Sequence, residues 1–201
     1  MKAYALNCTL RPSPSESSTD LLLDQIGEQL ALHDVELTRD RVADHHVKAG
    51  VSADEGEGDS WPRMREAILD AELFVLATPI WLGHPSSYAQ RVLERLDDFL
   101  SDTDEREQMR TVDRVAMVAV VGNEDGAHHV GAELYQGLVD VGFTLAPSAM
   151  TYWVGEAMGR IDYKDLDEPP DTTAQATRAM VANAVYLARL LHTKPFPALQ
   201  G

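Results

Sequence analysis

The chain has 201 residues, 44% apolar and 25% charged, the balance of a globular protein with one sizeable core. Its 33 acidic residues outnumber 17 basic ones, and a net charge of −16 argues against nucleic acid or an anionic membrane surface as partner, since both need cations. The single cysteine, Cys8, excludes an internal disulfide, a CxxC redox pair and a cysteine-held iron–sulfur cluster.

In chain order, AYALNC (3–8) reads as the first strand. The N-terminus has no apolar stretch long enough for a signal peptide, and no run approaches the roughly 18 residues that span a bilayer; the expected location is the cytoplasm. A helix follows with Leu22, Ile26 and Leu30 on one face, then VELTR (35–39) as a second strand. Residues 43–60 are acidic and contain glycine, and are expected to form a surface loop. MREAILDA is a helix entered through Trp61-Pro62, and LFVLAT (73–78) is the third strand. Ser87 and Gln90 fit a capping box for the next helix, whose stripe is Ala89, Val92, Leu93, Leu96 and Phe99. RVAMVAVVG (114–122) is apolar throughout, as a strand covered on both faces should be. Val130, Leu134, Leu138 and Val141 mark a further helix, FTLAPSAM (143–150) a fifth strand, and AQATRAMVANAVYLARLL the last helix, with Thr172 and Gln175 as a second capping box. The segment 151–171 is rich in aromatics, which suits packing over a site or against another subunit. Strands alternating with helices give an α/β fold, a parallel sheet covered on both faces and one domain over 1–201.

In such a sheet, ligands bind beyond the carboxyl ends of the strands. After strand one, TLRPSPSESST (9–19) offers the hydroxyls of Thr9, Ser13, Ser15, Ser17, Ser18 and Thr19, the guanidinium of Arg11 and the start of a helix; that set suits a phosphate monoester. No Gly-x-Gly-x-x-Gly and no Gly-Lys-Ser/Thr is present. After strand three, Pro79, Ile80, Trp81 and Leu82 present apolar side chains and free amides, and Gly83 permits close approach, features that suit a flat heterocycle with polar edges. After strand four, GNEDGAHH (122–129) has the composition of a close-approach loop.

Together these loops resemble the flavodoxin-like NAD(P)H-dependent FMN reductases, over nearly the whole chain. TPIWLGHPSS (78–87) is the most specific match, being similar to the family's segment beside the flavin ring. The resemblance implies a flavodoxin-like three-layer sandwich with a five-stranded parallel sheet in the order 2-1-3-4-5 and helices on both faces. It implies FMN as cofactor, with Thr9, Arg11, Ser17, Ser18 and Thr19 holding the phosphate. Pro79, Ile80, Trp81 and Leu82 would line the isoalloxazine, and Gly122, Asn123, Asp125 and Gly126 would close over it. The implied activity is hydride transfer from NAD(P)H, the co-substrate, to a small-molecule acceptor (a quinone, an azo or nitro compound, or flavin) by a ping-pong mechanism that needs no catalytic side chain. A homodimer or homotetramer is implied, with Tyr152 and Trp153 near the subunit interface. Some relatives carry cysteines for an iron–sulfur cluster after strand two; here that region reads DHHVKAG. The alternative is a flavodoxin-type FMN electron carrier docking through its acidic surface to basic redox partners. A metal-dependent hydrolase is disfavoured: His45-His46 and His128-His129 are adjacent pairs rather than i, i+4 ligands, and His84 stands alone. No metal site and no nucleophile elbow are expected.

Overall fold

The computed structural model describes residues 1–156 and 159–199. The elements in chain order are β1 (Lys2–Asn7), α1 (Ser18–Ala31), β2 (Glu36–Arg41), α2 (Trp61–Asp70), β3 (Leu73–Trp81), β4 (His84–Pro85), α3 (Ser87–Leu96), β5 (Val115–Gly122), α4 (Ala127–Asp140), β6 (Thr144–Val154) and α5 (Asp171–Thr193), with 3-10 turns at Val42–Asp44, Asp97–Leu100 and Tyr163–Asp165. The sheet order is β2-β1-β3-β5-β6, and every pairing along this path is parallel. Leaving aside the two-residue β4, this is the expected 2-1-3-4-5 order of a flavodoxin-like fold.

The sheet separates two apolar cores. Ala3, Ala5, Val75, Ala77, Met117 and Ala119 point to one face, where α1 and α5 cover them with residues such as Leu22, Ile26, Val181 and Val185. Leu6, Phe74, Leu76, Val118 and Val120 point to the other, against α2, α3 and α4 with Trp61, Val92, Leu96 and Leu134. Side chains alternate across a strand, so β5 can satisfy both cores only by being apolar at every position. Among the described residues no helix is long and apolar enough to cross a membrane.

Four local expectations change. Strand three does not stop at Thr78: it continues to Trp81 and turns back into β4, pairing Ile80 with Pro85 and Trp81 with His84. Leu82 at φ 53° and Gly83 at φ 78° make the turn, the positive-φ pair that tight hairpins require. The cap of α3 is Ser86 rather than Ser87: its hydroxyl accepts from the Ala89 amide at 3.2 Å. The Thr172–Gln175 box is absent, because α5 begins at Asp171 with Pro170 as an N-cap that makes no side-chain bond. Finally, the acidic loop 43–60 is fastened to the core. The side chains of Asp59 and Arg95 are wholly buried and 2.9 Å apart, and Arg95 also donates to the carbonyls of Lys48 and Ser52.

Candidate functional site

The carboxyl ends of β1, β3 and β5 open into a cleft of about 550 Å³, a volume ordinary for a small-molecule site. Its first wall is the segment between β1 and α1. Thr9, Leu10, Arg11, Glu16, Ser17, Ser18 and Thr19 all face it. Ser17 is the N-cap of α1, its hydroxyl accepting from the Asp20 amide at 3.3 Å. The Ser18 hydroxyl accepts from the Lys164 amide at 3.2 Å. A hydroxyl that accepts in this way keeps its own hydrogen to donate, so both serines retain a donor for an anion. The amides of Ser18 and Thr19 are the first two of the helix and have no intrahelical acceptor. Of the carboxylates at this end, Asp20 is held by Arg41, by Arg39 and by the Asn7 side-chain amide at 2.7 Å, and Glu16 lies 3.7 Å from Lys164 Nζ.

The second wall is the hairpin. Pro79, Ile80 and Trp81 line the cleft, Ile80 buried and Trp81 half in solvent. Leu82 does not: it is 89% exposed at the hairpin tip, and its amide, expected to be free, donates to Glu124 Oε1 at 2.7 Å. Gly83 does not line the cleft; its backbone lies against Gly126, where a Cβ would fall 2.8 Å from the Gly83 Cα.

The third wall follows β5. Val121, Gly122, Asn123 and Glu124 line it, whereas Asp125 and Gly126 do not. Gly122 keeps the floor low: a Cβ there would sit 2.9 Å from the Ile80 Cβ. Gly126, at φ 122°, is the N-cap of α4 and serves the hairpin contact.

The fourth wall comes from the end of β6, which runs on to Val154, and from the segment after it. Trp153, Asp162, Tyr163 and Lys164 close the far side. Tyr163 is buried, lies 5.4 Å from the Trp153 ring and donates its phenol hydrogen to Gln25 at 2.6 Å. Burial holds that phenol above its ordinary range, so it stays neutral. Asp162 accepts from the Asn123 side-chain amide at 3.0 Å, joining the third and fourth walls. Trp153 thus faces its own chain's cleft, while Tyr152 packs edge-on against His128 on the opposite side of β6.

The cleft therefore gathers Thr9, Arg11, Ser17, Ser18, Thr19, Pro79, Ile80, Trp81, Gly122 and Asn123, and leaves out Leu82, Asp125 and Gly126. Sequence reasoning did not find Leu10, Glu16, Val121, Glu124, Asp162, Tyr163 and Lys164. The aromatic content of 151–171 was the one available signal for the last three. Chemically, the cleft offers hydroxyl, amide and guanidinium donors at one end and an indole, an isoleucine and a proline at the other. A planar ring bearing a phosphate matches both ends.

The family model described as NADPH-dependent FMN reductase matches residues 1–158. The 8-demethyl-8-aminoriboflavin-5'-phosphate synthase of Streptomyces davaonensis is 36% identical over 213 residues, covering 98% of this chain and 80% of that protein. A crystal structure of RosB with the bound intermediate 8-demethyl-8-formylriboflavin-5'-phosphate matches with a TM-score of 0.88 at 33% identity, over 98% of this chain and 82% of that one. The divalent metal cation transporter MntH of Mycobacterium bovis is 34% identical over 198 residues, which are 95% of this chain and 29% of that protein; the chain spans less than a third of that relative's length.

Proposed function

Because the chain belongs to the NADPH-dependent FMN reductase family, we propose that it binds FMN in this cleft and works as an NAD(P)H-dependent oxidoreductase. The observation that carries the proposal is the juxtaposition, in one cleft at the carboxyl edge of the sheet, of an anion-binding end and an apolar wall. Bound FMN would supply hydride transfer from NAD(P)H to a small-molecule acceptor such as a quinone, an azo or nitro compound or another flavin, in two successive half-reactions.

The residues present fit this group. The hydroxyls of Thr9, Ser17, Ser18 and Thr19, the first amides of α1 and Arg11 would receive the phosphate. Pro79, Ile80, Trp81, Gly122 and Asn123 would hold the ring. Glu124 occupies the Leu82 amide, so a ring carbonyl that binds there must displace a carboxylate. No side chain of the cleft is needed as an acid or base for hydride transfer.

A second reading has a specific observation behind it. The relatives at 36% and 33% identity are a flavin phosphate synthase and a protein holding a formyl-substituted flavin phosphate. The same cleft would then hold a flavin phosphate as reactant, and its ring would leave altered.

The test is anaerobic reduction followed by analysis of the flavin. Purified protein reconstituted with FMN should lose its visible flavin absorbance on addition of NADPH or NADH and regain it on addition of a quinone. The flavin released afterwards should have the mass of FMN. Flavin that stays oxidised with both nicotinamides marks an electron carrier, and a changed flavin mass marks the second reading. Absence of any FMN binding, read as unchanged flavin fluorescence, overturns the site itself.

A further inference from the structure

Outside the cleft, histidines that look unrelated in sequence meet. His84 closes the β3–β4 hairpin, while His129 and Glu133 stand one turn apart on α4. His84 Nδ1 is 3.0 Å from Glu133 Oε1, and His129 Nε2 is 2.7 Å from the same oxygen. The imidazole rings meet edge to face with centroids 5.0 Å apart. One ligand-capable atom from each of the three side chains lies within 4.8 Å of the other two. We propose that His84, His129 and Glu133 bind a divalent transition metal, zinc foremost, which ties the hairpin to α4.

The two contacts to the carboxylate are near coordination spacing, and the histidine nitrogens, within 4.8 Å of each other, close to it by rotation of two exposed imidazoles. Zinc–nitrogen and zinc–oxygen bonds of about 2.0–2.1 Å in a tetrahedral site put ligand atoms about 3.3 Å apart. Each histidine nitrogen therefore has only a few tenths of an ångström to move from the shared carboxylate oxygen. Two imidazoles and one carboxylate favour zinc, nickel or copper; magnesium and calcium prefer all-oxygen shells. The side chains of His84 and His129 are 63% and 58% exposed, so binding desolvates little and the remaining coordination position stays open to water. The two elements are also held in register without a metal. The missing Cβ of Gly126 would fall 2.8 Å from the Gly83 Cα, so the hairpin tip and the start of α4 are in backbone contact. The third ligand is thus delivered by a fixed contact. This site departs from the expectation of no metal, because that reading paired histidines along the sequence and His84 is remote from His129 there. It does not depend on what the cleft binds.

The experiment uses tag-free, chelator-treated full-length protein and calorimetric titration with zinc chloride, with magnesium chloride as control. One saturable zinc per chain is expected, and at a hundredfold excess over Kd a rise in Tm of about 5–10 °C. H84A and H129A should each weaken zinc binding at least about tenfold while leaving the metal-free Tm unchanged. H128A, whose ring packs on Tyr152 instead, should bind as the parent does. No saturable zinc binding, or full-affinity binding in the H84A/H129A double variant, overturns the proposal.

Discussion

Asp59→Asn is expected to destabilise the protein strongly although it preserves the side chain's shape. Asp59 Oδ1 accepts from the amides of Lys48 at 3.2 Å and Trp61 at 3.1 Å, and Oδ2 accepts from the Glu55 amide at 3.0 Å and faces Arg95 Nη2 at 2.9 Å. Whichever way an asparagine is turned, its NH2 meets a hydrogen-bond donor, and Arg95 loses its counter-charge. The guanidinium cannot leave easily: it is wholly buried, bonded to two carbonyls, and 5.7 Å from the Trp61 ring. Removing one partner of a buried pair costs about 3–5 kcal/mol. For a chain of this size that is a drop in Tm of about 6–20 °C. The effect should depend on pH. Burial alone would raise the Asp59 carboxyl, but the amides of Glu55, Trp61 and Lys48 and the charge of Arg95 outweigh it and hold it below the usual range. A group depressed in the folded state contributes fully above its unfolded value of about 3.9 and loses that contribution as pH falls through the folded value. Melting curves by circular dichroism from pH 7 to pH 3 should therefore show a gap between parent and variant that is complete at neutrality and closes below about pH 4. A D59N variant that melts with the parent at pH 7, or a gap that persists unchanged in acid, would refute the reasoning.

Arg11→Ala should weaken FMN binding about tenfold to a hundredfold, the range for a charge-assisted hydrogen bond, and leave riboflavin binding unchanged; fluorescence titration with both flavins distinguishes loss of the phosphate contact from general damage. Gly126→Ala combines a φ of 122° with a Cβ that would sit 2.8 Å from backbone at Gly83, and is expected to cost at least about 1–3 kcal/mol, read as a lower denaturant midpoint with an unchanged slope. Cys8 is fully buried, and burial pushes its thiol far above the ordinary range, so a thiol reagent at pH 8 should leave the native protein unlabelled and modify one cysteine per chain after denaturation.

The scaffold was legible because parallel strands buried on both faces cannot hide: β5 is apolar from Val115 to Val121 whatever surrounds it. The rule that ligands sit at strand carboxyl ends then located three of the four walls. The hairpin was not legible, because its turn puts Leu82, a residue that rarely takes positive φ, beside Gly83. Nor was the Asp59–Arg95 pair: charged residues are ordinarily solvated, and nothing local marks two of them, 36 positions apart, as partners in the core. Tyr163 and Lys164 reach the cleft only because the chain passes back over the N-terminus of α1 before entering α5, a tertiary consequence with no short-range pattern.

The Ser18 hydroxyl has two neighbours with different origins: the Lys164 amide behind it and, in front, the cleft. Accepting from one polarises the oxygen's own hydrogen toward the other, so each bond reinforces its mate. An anion bound by that hydrogen would thereby be linked in both directions to the hold on the 163–165 turn, and slowed deuterium uptake at the Lys164 amide would be a remote gauge of whether this end of the cleft is filled.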